Sequence, residues 1–242
     1  MLSAFHDAFS LLETLDSNLL EIVIVSLHVS ISALVIGCVL GMPLGALVAI
    51  QNFPGRQIVI VILNSLMGVP TVIVGVAIYL LLSRTGPLGD LNWLFTPKGM
   101  ILAQSVLTTP LIAALTRQII EDGWRIHGET MSALRLPIAA KLKWLVWDCR
   151  FSLSIALLAG FARAISEVGA VMIVGGNIDR VTRTMTTAIA LETSKGDLPL
   201  ALALGLVLLA VVLCLNILVA GVRSWRLRVD GSASDPLQKA WV

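Results

Sequence analysis

Apolar runs of membrane-crossing length leave this chain very few architectures. A helix needs about 20 apolar residues to cross the hydrocarbon core of a bilayer. Five stretches answer to that length: IVIVSLHVSISALVIGCVLGMPLGALVAI at 22–50, QIVIVILNSLMGVPTVIVGVAIYLLLS at 57–83, MILAQSVLTTPLIAALT at 100–116, the stretch 151–175, and LPLALALGLVLLAVVLCLNILVAGV at 198–222. The third is the shortest. A membrane β-barrel would show alternating segments of about 10 residues, whereas these runs are long and unbroken. The sequence predicts an all-α integral membrane protein with five transmembrane helices. Only 13% of its residues are charged, about half the share of a soluble domain. Its net charge of +2 gives no case for nucleic acid.

Basic residues favour the cytoplasmic side of short connections. Alternating the spans with the C-terminus inside puts eleven Lys or Arg inside and five outside, with Arg163 within a span. The N-terminus is then outside. Residues 1–18 hold no Lys or Arg, and Leu2, Phe5, Phe9 and Leu12 share a helical face, which predicts an amphipathic helix on the outer membrane surface. Without a basic n-region, a cleavable signal peptide is not expected. The transmembrane domain covers 19–222, and a polar cytoplasmic tail covers 223–242.

Polar residues inside an apolar chain carry the functional information. FARAISEVGAVMIVGGN, 161–177, sets Arg163 and Glu167 four residues apart on one helix face, in the inner half of the fourth span. Charges at membrane depth face protein or water. The pair therefore either fixes packing or lines a polar pathway. Ala156, Gly160 and Ala164 form a small-residue stripe that permits close helix approach. The second span contains Asn64, Ser65, Gly68, Pro70, Thr71 and Gly75, and Pro70 should kink it. The third contains Gln104, Ser105, Thr108, Thr109 and Pro110. Their hydroxyls either satisfy carbonyls freed by the proline or line a path suited to a hydrated anion.

Two connections stand out. The cytoplasmic stretch 117–150 is long for a mere link. GETMSALRLPIAAKLKWLVW within it reads as a short helix, a break at Pro137 and a second helix, either a docking surface for a cytoplasmic protein or an amphipathic connector. On the outer side, 176–197 offers Asn177, Arg180, Arg183, Thr184 and Thr187 as donors. The sequence has no G-x-x-x-x-G-K-[ST] and no H-E-x-x-H. His6, His28 and His127 are scattered, as are Cys38, Cys149 and Cys214. No metal site and no convergent catalytic set can be assembled, so the chain is not expected to be an enzyme or to bind a cofactor.

FARAISEVGAVMIVGGNIDRVTRTMTTAIALETSKGD resembles the permease subunits of ATP-binding-cassette importers for oxyanions, nearest to the tungstate permeases, with molybdate and sulfate permeases beside them. The resemblance runs from the first span to the fifth, with SEVGAVMIVGGNI and RTMTTAIALETSKGD its most specific parts. It implies a type I importer permease fold, a second copy of the chain, and two ATPase subunits that use ATP. It also implies a periplasmic or lipoprotein oxyanion-binding protein, and a place in the bacterial cytoplasmic membrane. In such permeases a coupling helix docks in the ATPase, with an acidic residue followed six positions later by glycine. Glu129 matches the acid, 38 residues before Glu167. Thr130 and Met131 stand where alanines are usual, and Arg135 stands for the glycine. Gly128, Glu129, Leu134, Arg135, Leu136 and Pro137 are the implied coupling residues. A carboxylate at the start of a short helix would be the alternative role for Glu129. Asn64, Ser65, Pro70, Thr71, Thr108, Thr109, Arg163 and Glu167 are the expected pathway or gate residues. A stand-alone carrier or channel is the competing class.

Overall fold

A computed structural model describes residues 17–233. The helices are α1 (Ser17–Ile50), α2 (Arg56–Met67), α3 (Thr71–Leu82), α4 (Pro97–Ala133), α5 (Ile138–Asp148), α6 (Arg150–Ile165), α7 (Gly169–Gly175), α8 (Met185–Lys195) and α9 (Leu198–Ala233), with a 3-10 turn at Gly89–Leu91. Among the described residues no strand occurs. Helices α1, α4 and α9 are each long and apolar enough to cross a membrane, and the bent pairs α2–α3 and α5–α6 raise the number to five if each counts as one span. The protein is an all-α, multi-pass membrane protein.

Helices α1 and α4 form the spine. They run parallel, and Gly37, Gly41 and Gly45 step down α1 against α4. A Cβ on Gly37 would sit 2.8 Å from Thr108 Oγ1, and one on Gly41 2.7 Å from the Thr109 carbonyl oxygen. One on Gly45 would run into the carbonyl of Ala113. Without side chains at these turns the two backbones pack directly, as small residues allow in membranes. Helix α6 returns antiparallel along α4, with Leu153 in the cluster around Ile120 and Gly160 against Ile112. The small stripe read at Ala156, Gly160 and Ala164 is this buried face. Helices α8 and α9 close the other side, where Phe161, Ile165, Met185 and Leu204 pack with Leu19 and Ile22 of α1.

The end of the bundle that carries Arg56 and Arg117, here the basic end, is pinned by charge. Arg56 Nε donates to the carbonyl of Val48 at 2.8 Å, capping the C-terminus of α1. Glu121 on α4 takes Arg117 at 2.5 Å and Arg56 at 3.5 Å. One carboxylate thus ties α1, α2 and α4.

Three expectations need correction. The short third span is the start of a 37-residue helix that continues through Ala133, so half of the expected 117–150 loop is α4 itself. Hydropathy falls after Thr116, but ion pairs from Glu121 to Arg117 and Arg125 at (i, i+4) spacing support the helix there. The 151–175 stretch is interrupted at 166–168, between α6 and α7. The tail expected from 223 is helical to Ala233. The amphipathic face at Leu2, Phe5, Phe9 and Leu12 lies outside the described residues.

Candidate functional site

Two helix breaks meet. The first lies at 68–70 and turns α3 by 97° from α2. Pro70 has no N–H and its ring bars a continuing helix, so α2 ends at Met67 and α3 begins at Thr71. The second lies at 166–168, where no proline stands. There the Glu167 side chain takes over a backbone role, Oε1 accepting the Ala170 N–H at 3.2 Å at the start of α7. The Thr186 hydroxyl donates to the Glu167 carbonyl at 2.7 Å. The breaks are in contact. A Cβ on Gly169 would fall 2.9 Å from Val72 Cγ2 and 3.0 Å from Thr71 Oγ1, and one on Gly75 only 2.8 Å from Ala170 Cα.

Arg163 and Glu167 complete the junction. Arg163 Nη1 donates to Glu167 Oε2 at 2.7 Å. The carboxylate is 3% exposed and the guanidinium side chain 38%. Arg163 lies about 20 Å along α6 from Arg150, at the level of Gln104 and Leu107, with which it lines a space too small to admit water. That level is nearer the start of α4 than the basic end. Gln104 Nε2 donates to the Ala164 carbonyl at 3.0 Å, while its Oε1 is buried without a partner.

The neighbouring surface is open and mixed, with Leu66, Met67, Val72 and Ile73 exposed beside its polar groups. Asn64, Ser65, Gly68, Pro70, Ser166 and Val168 are exposed. Irregular backbone inside a bilayer is tolerated only against protein or water. Thr108 lines the same small space as Arg163 and Glu167, and Thr109 follows it on α4. Thr108 is 1% exposed, and its hydroxyl donates to the Gln104 carbonyl at 3.0 Å. Thr109 donates to the Ser105 carbonyl at 2.6 Å. Both stand in the α1–α4 contact and satisfy backbone carbonyls.

At the opposite end of the bundle, Arg180 is 71% exposed beside Glu21. Arg183 pairs with Asp179 at 2.8 Å. Asn177 takes a left-handed conformation, φ 51, and its Nδ2 donates to the Thr187 carbonyl at 3.4 Å. Thr184 and Thr187 turn inward, 5% and 0% exposed, and cap each other at the start of α8. The outward surface of this turn is therefore Ile178, Asp179, Arg180 and Val181, all exposed.

Beyond the basic end, α4 stops at an elbow. Arg135 adopts φ 50, its N–H bonds the Ser132 carbonyl at 3.0 Å, and the Leu136 N–H bonds that of Met131 at 3.3 Å. This left-handed turn is a position that suits glycine, which accounts for the residue usual there in the resembling permeases. Pro137 then starts α5. Leu134, Ile138, Trp144 and Trp147 are exposed around the elbow, together with Ile126. Leu136 packs inward, and Gly128 is buried under the Trp124 ring. His127 meets Asp148 at 3.7 Å and Trp144 edge-on at 4.8 Å, holding α5 to α4. Glu129 is exposed and lies near the C-terminus of α4. A role at a helix start is excluded, because the macrodipole there is of the wrong sign.

The sequence carried little sign of Ser166–Val168 as a break, since only Gly169 follows it. The Gly37–Gly41–Gly45 spacing was visible and is the clearest unread signal. No metal-binding group of His, Cys, Asp or Glu occurs among the described residues.

Broken helices that meet within a multi-pass bundle are a form that membrane transport subunits take. No protein-family profile matches the chain. It is 41% identical over 218 residues to the tungstate uptake system permease protein TupB of Peptoclostridium acidaminophilum, covering 89% of this chain and 94% of that protein. It is 39% identical over 217 residues to a probable anion ABC transporter permease protein of Haloferax volcanii, covering 85% and 90%. With the sulfate transport system permease protein CysW of Escherichia coli it shares 28% identity over 210 residues, covering 79% and 70%. The chain belongs to the permease proteins of ATP-binding-cassette importers for inorganic oxyanions.

Proposed function

We propose that two copies of this chain form the membrane pathway of a tungstate importer, with their broken-helix faces turned toward each other. The observation that carries this reading is the junction of α2–α3 with α6–α7. There Gly169 meets Thr71 and Val72, two residues from Glu167 and its partner Arg163, and Asn64, Ser65 and Pro70 are exposed at or before the first break. Thr108 and Thr109 support that face from behind. Half-helices that meet at membrane depth are a recurring device of transporters. Tungstate is favoured over sulfate because the tungstate permease is more similar than the sulfate permease, and molybdate is the alternative that the uptake test decides.

The chain sits in the bacterial cytoplasmic membrane with its N-terminus outside and C-terminus inside. Two ATPase subunits dock at the elbow, on Glu129, Leu134, Arg135, Pro137 and the exposed tryptophans of α5, and ATP is consumed there. An oxyanion-binding protein delivers its cargo on the other side, against Asn177, Arg180 and Arg183. ATPase closure moves the elbow and α4, the breaks re-pack, and the pathway opens alternately to each side.

The test is reconstitution of the permease with its ATPase in proteoliposomes. Binding protein loaded with tungstate, molybdate or sulfate is added, and hydrolysis and anion uptake are followed. Tungstate-loaded protein should stimulate both most strongly. Greater stimulation by sulfate or molybdate would reassign the substrate. Uptake that continues without ATPase subunits would make the protein a stand-alone carrier.

A further inference from the structure

The Arg163–Glu167 pair holds more than a packing bond requires. Glu167 is nearly buried and fixed through both carboxylate oxygens and its carbonyl. Arg163 is held at one nitrogen only. A guanidinium has five N–H donors in a planar fork suited to oxyanions, and the rest of this one make no other bond among the described residues. It is also the only Lys or Arg within the five apolar stretches. The fixed member is thus the anion, and the loosely held member is the cation at the open, broken face.

Resting on the pathway proposed above, we infer that Arg163 is the contact for the oxyanion inside the membrane, and that Glu167 is a built-in competitor for the same guanidinium. A bare guanidinium in a low-dielectric passage would hold a divalent tetrahedral anion too well to release it, and transport needs binding weak enough to leave. Glu167 occupies Arg163 when the passage is empty. An arriving dianion engages the free N–H groups and weakens that bond, and as the anion moves on the carboxylate reclaims its partner. Because Glu167 is anchored at the start of α7, it does not follow the guanidinium outward. The pair therefore sets dwell time.

The experiment compares wild type, Glu167→Gln, Arg163→Gln and Arg163→Lys, each purified with its ATPase subunits in nanodiscs. Retained tungstate is measured by mass spectrometry after equilibrium dialysis without binding protein, and uptake is measured in proteoliposomes with it. Glu167→Gln should hold tungstate at least tenfold more tightly than wild type while its maximal uptake falls at least tenfold. Arg163→Gln should lose both retention and uptake, and Arg163→Lys should keep part of each. If Glu167→Gln does not assemble, the arginine pair decides: loss in Arg163→Gln with partial retention in Arg163→Lys supports the inference. Wild-type uptake of tungstate together with undiminished uptake by Arg163→Gln overturns it, as does a Glu167→Gln complex that retains no more anion than wild type. Absence of tungstate uptake by wild type would instead overturn the proposed function.

Discussion

Replacing the three glycines of α1 by alanine should produce a graded loss of stability. At Gly45 the new methyl runs into the Ala113 carbonyl and comes within 3.0 Å of the Arg117 nitrogen. Backbone atoms cannot rotate away, so the two longest-packed helices must part by about 1 Å before ordinary contact is reached. Overpacking of this kind costs about 1–3 kcal/mol. At Gly41 the obstacle is again backbone, the Thr109 carbonyl at 2.7 Å. At Gly37 it is the Thr108 hydroxyl at 2.8 Å and the end of Ile112 at 3.1 Å, both able to turn aside for about one hydrogen bond, 0.5–1.5 kcal/mol. At roughly 2–4 °C per kcal/mol for a chain of this size, Gly45→Ala should lower the unfolding midpoint by about 2–12 °C and Gly37→Ala by about 1–6 °C, roughly half as much. Gly41→Ala should fall between them. The midpoints are read by tryptophan fluorescence on purified complex in one detergent at one scan rate. Equal midpoints, or Gly37→Ala as the most damaging change, would refute direct backbone packing along this face.

Other outcomes follow from the ends of the bundle. Glu129→Arg should leave the permease in the membrane and dimeric but strip it of ATPase subunits or of stimulated hydrolysis, measured by co-purification and phosphate release; Glu129→Gln should be milder, and full ATPase retention in Glu129→Arg would remove the residue from the contact. Arg135→Gly should preserve the elbow, since φ 50 suits glycine, whereas Arg135→Val should cost about 1–2 kcal/mol and reduce ATPase binding in the same pull-down. Ile178→Cys should react with an impermeant maleimide from outside intact cells and Thr187→Cys should not, because the first is 43% exposed and the second is buried; labelling of Ile178→Cys only from the cytoplasm would reverse the proposed orientation.

Much of this arrangement is written in local chemistry. The apolar runs mark the helices, Pro70 marks the first break, and the four-residue spacing of Arg163 and Glu167 foretells their 2.7 Å bond. What stayed hidden has physical causes. The second break is made by a side chain, since Glu167 supplies the acceptor that a helix carbonyl would have given, and periodicity does not register that exchange. Helix α4 outlasts its own hydrophobicity because Glu121 couples it to Arg117 and Arg125. A threonine-rich stretch reads as polar surface, yet Thr184 and Thr187 spend their hydroxyls on each other.

The uninterrupted course of α4 has a mechanical meaning. Its backbone is gripped by α1 around Thr109 and Ala113, and it runs as one helix from Pro97 to Ala133. That grip is a long seam and not a pivot, since Val29 shares a core cluster with Met100 and Ala46 and Ala49 share another with Ile120. Only the stretch from Ile120 to Ala133, about 20 Å, projects past the seam, so a push at the elbow is carried into α1 and α4 together and reaches Gln104 and Arg163 through both helices.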